Sequence, residues 1–205
     1  RIKAKLPKTA GLWPILTLQA ASGLPCRYPD ENGQCTWPSS GEIEIIQTCN
    51  NGPQYPYVTR AAHMGKHSHA GKDDNLIMTS SPEWVPSFWW SEPHTFELKR
   101  NESGVFWFVD GELKQAIRAE ALQAFLAKSD NRPSSYGKTL LAPFDGANQL
   151  NLILSLAVGG TLPCAHCGDC CVGNRSSPIN ATSVNKEGSV ELHIFSIEFE
   201  DPGPE

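Results

Sequence analysis

Short runs in which apolar and polar residues alternate recur along this chain. Ile2 to Leu6 alternates Ile, Ala and Leu with lysines, and Gly41 to Gln47 alternates isoleucines with glutamates. Ser189 to Glu200 alternates near the C-terminus, and Leu150 to Val158 is an almost continuous apolar run that we expect to be a central strand. Successive side chains of a strand point to opposite faces, so each alternating run can bury one face. The pattern therefore predicts β-strands.

Turn residues separate these runs. The chain has 17 glycines and 16 prolines, as an all-β protein with many turns requires. His94 to Lys99 and Val105 to Val109 flank Asn101-Glu102-Ser103-Gly104, which is typical of a hairpin loop. No alternation of strand and helix is visible, so we expect an all-β, two-sheet antiparallel β-sandwich rather than an α/β fold.

One segment departs from the strand pattern. Leu113, Ile117, Ala121 and Phe125 recur every four residues, and charged residues lie between them. This spacing predicts an amphipathic helix over residues 112–129, inserted into the sandwich. Packing against the outer sheet is the expected role, and binding of a partner is the alternative.

Composition limits the class of protein. The 205 residues suffice for one domain with a sizeable core, and 40% hydrophobic with 19% charged residues describes a globular chain. The net charge of −5 argues against nucleic acid as a partner. No apolar run has the length of a membrane span. We expect a monomer that needs no cofactor.

The chemistry of the chain is concentrated in the run from Gly41 to Gln47. Glu42 and Glu44 share one face of the predicted strand, whereas Gln47 would fall on the apolar face of a regular strand. One extra residue, a bulge near Ile45-Ile46, would turn Gln47 back beside the glutamates. This arrangement predicts three carboxyl-sized groups in a row on an exposed face. A solvated strand face is the plain alternative, and a pair of carboxyl groups for retaining glycoside hydrolysis is the functional one.

Several motifs, spread over nearly the whole chain, match those of one known family and occur in the same order. The strand itself is similar to a G-E-[IL]-D-[IL]-x-E motif, and the other matching segments are Arg1 to Lys8, Leu12 to Pro14, Trp37 to Gly41, His94 to Phe96, Trp107 to Gly111, Pro143 to Asp145 and Leu152 to Gly160. Together they resemble the family 16 glycoside hydrolases of the laminarinase type. The resemblance implies a single concanavalin A-like jelly-roll domain over residues 1–205, without the family's usual opening strands. It also implies β-1,3- or mixed-linked glucan as the partner.

Departures from the family pattern bear on activity. The resemblance makes Glu42 the nucleophile, gives Glu44 the position of an assisting Asp, and gives Gln47 the position of the acid/base. An amide cannot donate a proton as an acid does, so we expect a β-glucan-binding domain with weakened or lost catalysis. The alternative is an active retaining endo-β-1,3(4)-glucanase with Glu42 as nucleophile. Thr17 also stands where the family has a second Trp, and Ser155 where it has an Asn.

Tryptophans are candidates for binding sugar, because an indole covers apolar C–H faces and keeps an N–H donor. Trp13 and Trp37 match family motifs that flank the cleft, and the resemblance implies substrate binding for both; core packing is the alternative. Trp84, Trp89 and Trp90 lie in a proline-rich run, where they could rim the cleft or anchor the loop.

Histidines offer a weaker signal. His63 matches a family His in the next strand, where a ligand contact and a core hydrogen bond are both open. His67 and His69 would share its face, but Gly65 indicates that the strand ends early. No carboxylate or Cys completes the set nearby, so we expect no metal here.

Seven cysteines and three N-x-S/T triplets indicate an oxidising compartment. Cys164, Cys167, Cys170 and Cys171 form two overlapping C-x-x-C steps, which suit disulfides in a secreted protein and zinc in a cytosolic one. Cys26 and Cys35 could pair with each other or with this cluster. The chain begins with Arg rather than Met, as a processed product would. We expect a secreted, extracellular glycoprotein with disulfides.

Overall fold

The computed structural model describes residues 1–7, 12–20, 40–48, 57–65, 75–79, 83–121, 150–158 and 191–200. These ranges contain one 3₁₀ helix, Ser87–Ser91. Their strands are β1 Ile2–Lys5, β2 Leu12–Ala20, β3 Glu42–Thr48, β4 Tyr57–Gly65, β5 Asn75–Thr79, β6 Glu83–Trp84, β7 His94–Asn101, β8 Gly104–Val109, β9 Glu112–Arg118, β10 Leu150–Val158 and β11 His193–Ile197.

The strands form two antiparallel sheets. The first has the order β11-β1-β7-β8-β9, and the second has the order β10-β2-β3-β4-β5, with β6 paired to β4. The predicted two-sheet antiparallel sandwich is therefore confirmed, as is the hairpin of β7 and β8. Within the described strands β10 lies at the edge of its sheet, not at its centre as expected. A continuous apolar run identifies a strand but does not fix its neighbours.

The core lies between the two sheets. Ile43 of β3 and Ala62 of β4 pack with Trp107 of β8, and each of these side chains is almost fully buried. Ile46 and Phe96 belong to a second buried cluster that also joins the sheets. Burial of a large apolar side chain such as Ile43 contributes about 1.5–3 kcal/mol to the stability of the protein. The core-facing residues of β3 therefore hold that strand against the opposite sheet.

The helix predicted from residue 112 is wrong over residues 112–118, which form strand β9. Asp110 and Gly111 have positive φ angles of 50° and 81°, the signature of a two-residue type I′ turn. This turn returns the chain onto β8 as a hairpin. Residues 119–121 then form a helical turn, and residues 122–129 lie outside the described residues.

The helical spacing in β9 has a second explanation. Phe108 pairs with Leu113 and Trp107 with Gln115, so Lys114 is an extra residue in the ladder. The bulge reverses the alternation, which leaves Leu113 exposed while Ile117 is buried. The four-residue spacing of Leu113 and Ile117 therefore does not mark one face of a helix, because Ile117 faces the core and Leu113 faces solvent.

Candidate functional site

Strand β3 carries the predicted row of polar groups, and its bulge brings them together. Thr17 of β2 pairs with Glu44 and Leu16 pairs with Ile46, so Ile45 has no partner of its own on β2. The register against β4 shifts over the same residues. The predicted bulge is therefore confirmed, and Gln47 returns to the face of the glutamates.

The row is buried, whereas the sequence predicted an exposed face. Only 8% of Glu42, 7% of Glu44 and 4% of Gln47 is accessible to solvent. Buried polar groups are costly unless they are hydrogen-bonded, so their partners decide what the row can do.

Glu44 lies at the centre of the polar network. His63 of β4 contacts its Oε1 at 2.9 Å, and the Gln47 amide donates to its Oε2 at 2.5 Å. The indole Nε1 of Trp107 donates to its main-chain oxygen at 2.8 Å from the opposite sheet. Side chain and main chain of Glu44 are thus both held, which fixes the middle of the row.

Glu42 is held from β2. Gln19 Nε2 donates to Glu42 Oε1 at 3.0 Å, and the Thr17 hydroxyl lies 2.9 Å from the same oxygen. Thr17 Oγ1 also lies 3.0 Å from the main-chain oxygen of Ile43, a second acceptor for its one proton. Gln19 and Thr17 together hold the Glu42 carboxyl group in a fixed orientation.

Gln47 is oriented by Trp13. The indole Nε1 of Trp13 donates to Gln47 Oε1 at 3.0 Å. Because an indole N–H can only donate, it must face the amide oxygen, and the amide nitrogen must then face Glu44. Trp13 and Glu44 together leave Gln47 one orientation.

His63 is the basic side chain that contacts the row. Burial alone would lower its pKa, but the hydrogen bond and charge of Glu44, with the charge of Glu42, raise the pKa above its usual 6.5. A protonated His63 offsets one of the two buried carboxylates.

Hydrogen bonds join Trp13, Gln47, Glu44 and His63, and Glu42 pairs with His63 between β3 and β4. The catalytic and sugar-binding roles of these residues stay predictions. Trp37 lies outside the described residues, as do His67, His69 and the seven cysteines. Within the described ranges no cluster of His, Cys, Asp or Glu is arranged to hold a metal ion, and no helix could cross a membrane.

Sequence reasoning missed two residues of the network and left one question open. Thr17 was noted only as a departure, and Gln19 was not considered. The alternation Leu16-Thr17-Leu18-Gln19 was the available signal, since it predicts two polar side chains on one face of a strand. Among the tryptophans left open, Trp90 is buried in the core and Trp84 is exposed.

Comparison with known proteins supports the fold described above. The chain is 28% identical over 160 residues to the glucan endo-1,3-beta-glucosidase of Cryptopygus antarcticus, a match that covers 78% of this chain and 49% of that protein. The laminarinase from Rhodothermus marinus shares its fold at a TM-score of 0.54, with 24% identity over 79% of this chain and 54% of that one.

The resemblance to laminarinase-type glycoside hydrolases of family 16 is confirmed. A family 16 endo-glucanase from Bacteroides ovatus is also similar, at 20% identity and a TM-score of 0.49, covering 82% of this chain and 56% of its own. No family model matches the chain. The chain spans about half the length of the proteins it matches.

Proposed function

We propose that this chain is a β-glucan-binding, glycoside hydrolase-like domain whose catalysis is weak or lost. One observation carries the proposal: both ends of the Gln47 amide are engaged, its oxygen by Trp13 and its nitrogen by Glu44. The amide stands where the resemblance expects the acid/base, and it has no acidic proton to give to a leaving oxygen.

The chemistry of retaining hydrolysis explains why this matters. One carboxylate attacks the sugar while a second carboxyl group protonates the leaving oxygen. Glu42 can serve as the first group, because Thr17 and Gln19 hold it in one orientation. The missing general acid typically contributes about 10²–10⁴-fold in rate, so turnover should be low by that order.

The same face suits the binding of a sugar chain. Carboxylates and amides bind sugar hydroxyls, and Trp13, itself only 8% exposed, orients the Gln47 amide among them. The relative from Cryptopygus antarcticus is named a glucan endo-1,3-beta-glucosidase, which supports β-1,3-glucan as the polymer. A secreted protein with disulfides would fit the seven cysteines and three N-x-S/T triplets.

A second candidate is an active retaining endo-β-1,3(4)-glucanase with Glu42 as nucleophile. The ordered carboxylate of Glu42 favours it, since a domain that only bound glucan would not need a held nucleophile. Activity would then need a proton donor other than Gln47.

Binding and turnover measured together distinguish the two candidates. Laminarin is titrated into the protein by calorimetry, and reducing ends are measured in the same buffer over hours. Binding with little or no release of reducing ends supports the proposal. Rapid release supports the enzyme, and the absence of binding contradicts both.

A further inference from the structure

An aromatic pair lies at one end of the face that carries the polar row. Tyr57 of β4 pairs directly with Trp84 of β6, and their rings contact edge to face with centroids 4.1 Å apart. Trp84 is nevertheless 62% exposed. Most of a large apolar ring is thus open to solvent although a neighbouring ring fixes its position.

Register relates this pair to the polar row. Thr59 pairs with Gln47, and His63 pairs with Glu42 on the same strand β4. Tyr57, Thr59 and His63 are separated by even numbers of residues, so their side chains share one face of the sheet. Val58 and Ala62, on the other face, are buried in the core.

The same rule extends the face to β6. Directly paired residues of antiparallel strands have side chains on the same side, so Trp84 lies with Tyr57 on the face of Gln47. Tyr57 is two residues beyond Thr59, which is about 7 Å along the strand. A sugar chain lying over Gln47 would therefore reach the aromatic pair after a short step.

We propose that Tyr57 and Trp84 form a sugar-stacking subsite that extends the glucan-binding face beyond Gln47. The subsite rests on the proposed function, since it binds another unit of the same polysaccharide. The apolar C–H face of a glucose ring covers the exposed indole, and the contact with Tyr57 keeps the indole from turning away.

An exposed aromatic side chain is not by itself a sugar-binding subsite, and Phe88 provides a control for exposure alone. Phe88 is 70% exposed, but it belongs to the 3₁₀ helix Ser87–Ser91 and not to a strand of this sheet. Phe88→Ala is therefore a matched control for Trp84→Ala, as each removes one exposed aromatic side chain.

Calorimetric titration with laminaribiose and laminarihexaose tests the subsite. We expect Trp84→Ala to weaken binding of the hexaose by about three- to tenfold, as the loss of one aromatic contact would, and to leave the biose unchanged. Phe88→Ala should match the unmodified protein with both sugars, and circular dichroism should be the same for all three.

Two results would overturn the subsite, and they differ from failure of the proposed function. If Trp84→Ala binds both sugars as tightly as the unmodified protein does, the subsite proposal is refuted and the proposed function still stands. An equal loss for both sugars would assign Trp84 a structural role. If the unmodified protein binds neither sugar, the proposed function and the subsite fail together.

Discussion

The indole Nε1 of Trp107 donates a hydrogen bond across the core to the main-chain oxygen of Glu44, over 2.8 Å. Trp107 belongs to β8 of the first sheet and Glu44 to β3 of the second. The strand with the polar row is thus anchored from the opposite sheet, next to its bulge. Because a bulge interrupts regular pairing, this anchor compensates where β3 departs from the ladder.

Replacing Trp107 with Phe should therefore destabilise the protein by about 1–3 kcal/mol. The change leaves the buried oxygen of Glu44 without this donor, and a buried unsatisfied acceptor costs about that amount. Unfolding in urea measures the free energy. Trp84→Phe is the control, because Trp84 is exposed and its change should stay within about 0.5 kcal/mol. Equal effects from both variants would refute the role of the bond.

Gln47→Glu should raise the hydrolysis of laminarin by roughly 10²-fold or more. The new carboxyl group would stand against Glu44 Oε2 where the amide now donates, and two carboxyl groups so close must share a proton. That proton makes a general acid available near neutral pH. A reducing-sugar assay follows the gain.

The gain should depend on Glu42. Glu42→Gln in the Gln47→Glu background should abolish hydrolysis, because the covalent step loses its nucleophile. If the unmodified protein already hydrolyses laminarin rapidly and Gln47→Glu does not change the rate, the general acid is a different residue.

His63 predicts a pH-dependent stability. Its pKa is raised in the folded protein, so its pairing with Glu44 stabilises fully below about pH 6.5. The stabilisation is lost as the pH rises through the higher folded pKa. The free energy of unfolding of the unmodified protein minus that of His63→Gln should therefore fall as the pH rises above about 6.5. His193→Gln, in an exposed pair with Glu191, should show almost no effect. A difference that grows with pH would contradict this assignment.

Glu83 predicts the opposite pH dependence. Burial alone would raise its pKa, but the hydrogen bond and charge of Arg60, together with Lys114, lower the pKa below 4.5. Arg60 is only 2% exposed, so Glu83→Gln should cost about 1–3 kcal/mol near neutral pH. This cost is present above about pH 4.5 and fades as the pH falls through the folded pKa.

A matched control for Glu83 lies on β9. Glu112 also contacts Lys114, but it is exposed, so Glu112→Gln should change stability by less than about 0.5 kcal/mol. Denaturant unfolding of both variants at two pH values tests the pair. Equal costs would mean that burial of Arg60 does not matter.

The cysteine cluster, outside the described residues, predicts sensitivity to reductant. If disulfides join Cys164, Cys167, Cys170 and Cys171, reductant should lower the melting temperature while chelator has no effect. A lost bridge typically costs about 2–5 kcal/mol, and less where the closed loop is short. Stoichiometric zinc in freshly purified protein, with loss of stability on adding chelator, would refute disulfides and weaken the secreted assignment.

The sequence predicted much of the fold because strand alternation is a local signal. Ile2–Lys5 buries alternate residues, His193–Ile197 alternates exposed with half-buried residues, and Glu42–Thr48 is a strand that is buried on both faces. It failed over Glu112–Arg118, where a recurrence of four resembled a helix. The Asp110-Gly111 turn and pairing with β8 decided that segment, and both effects outweigh weak helix propensity.

For the site, the sequence by itself determined the residue types: two glutamates on one face of a strand, and a glutamine that needs a bulge to join them. Tertiary structure alone decided the partners. Thr17 and Gln19 reach Glu42, Trp13 orients Gln47, and these contacts come from pairing between β2 and β3. The physical reason is that alternation is set by the backbone of one strand, whereas a hydrogen bond between strands depends on register. Register is fixed only when the whole sheet packs on its core.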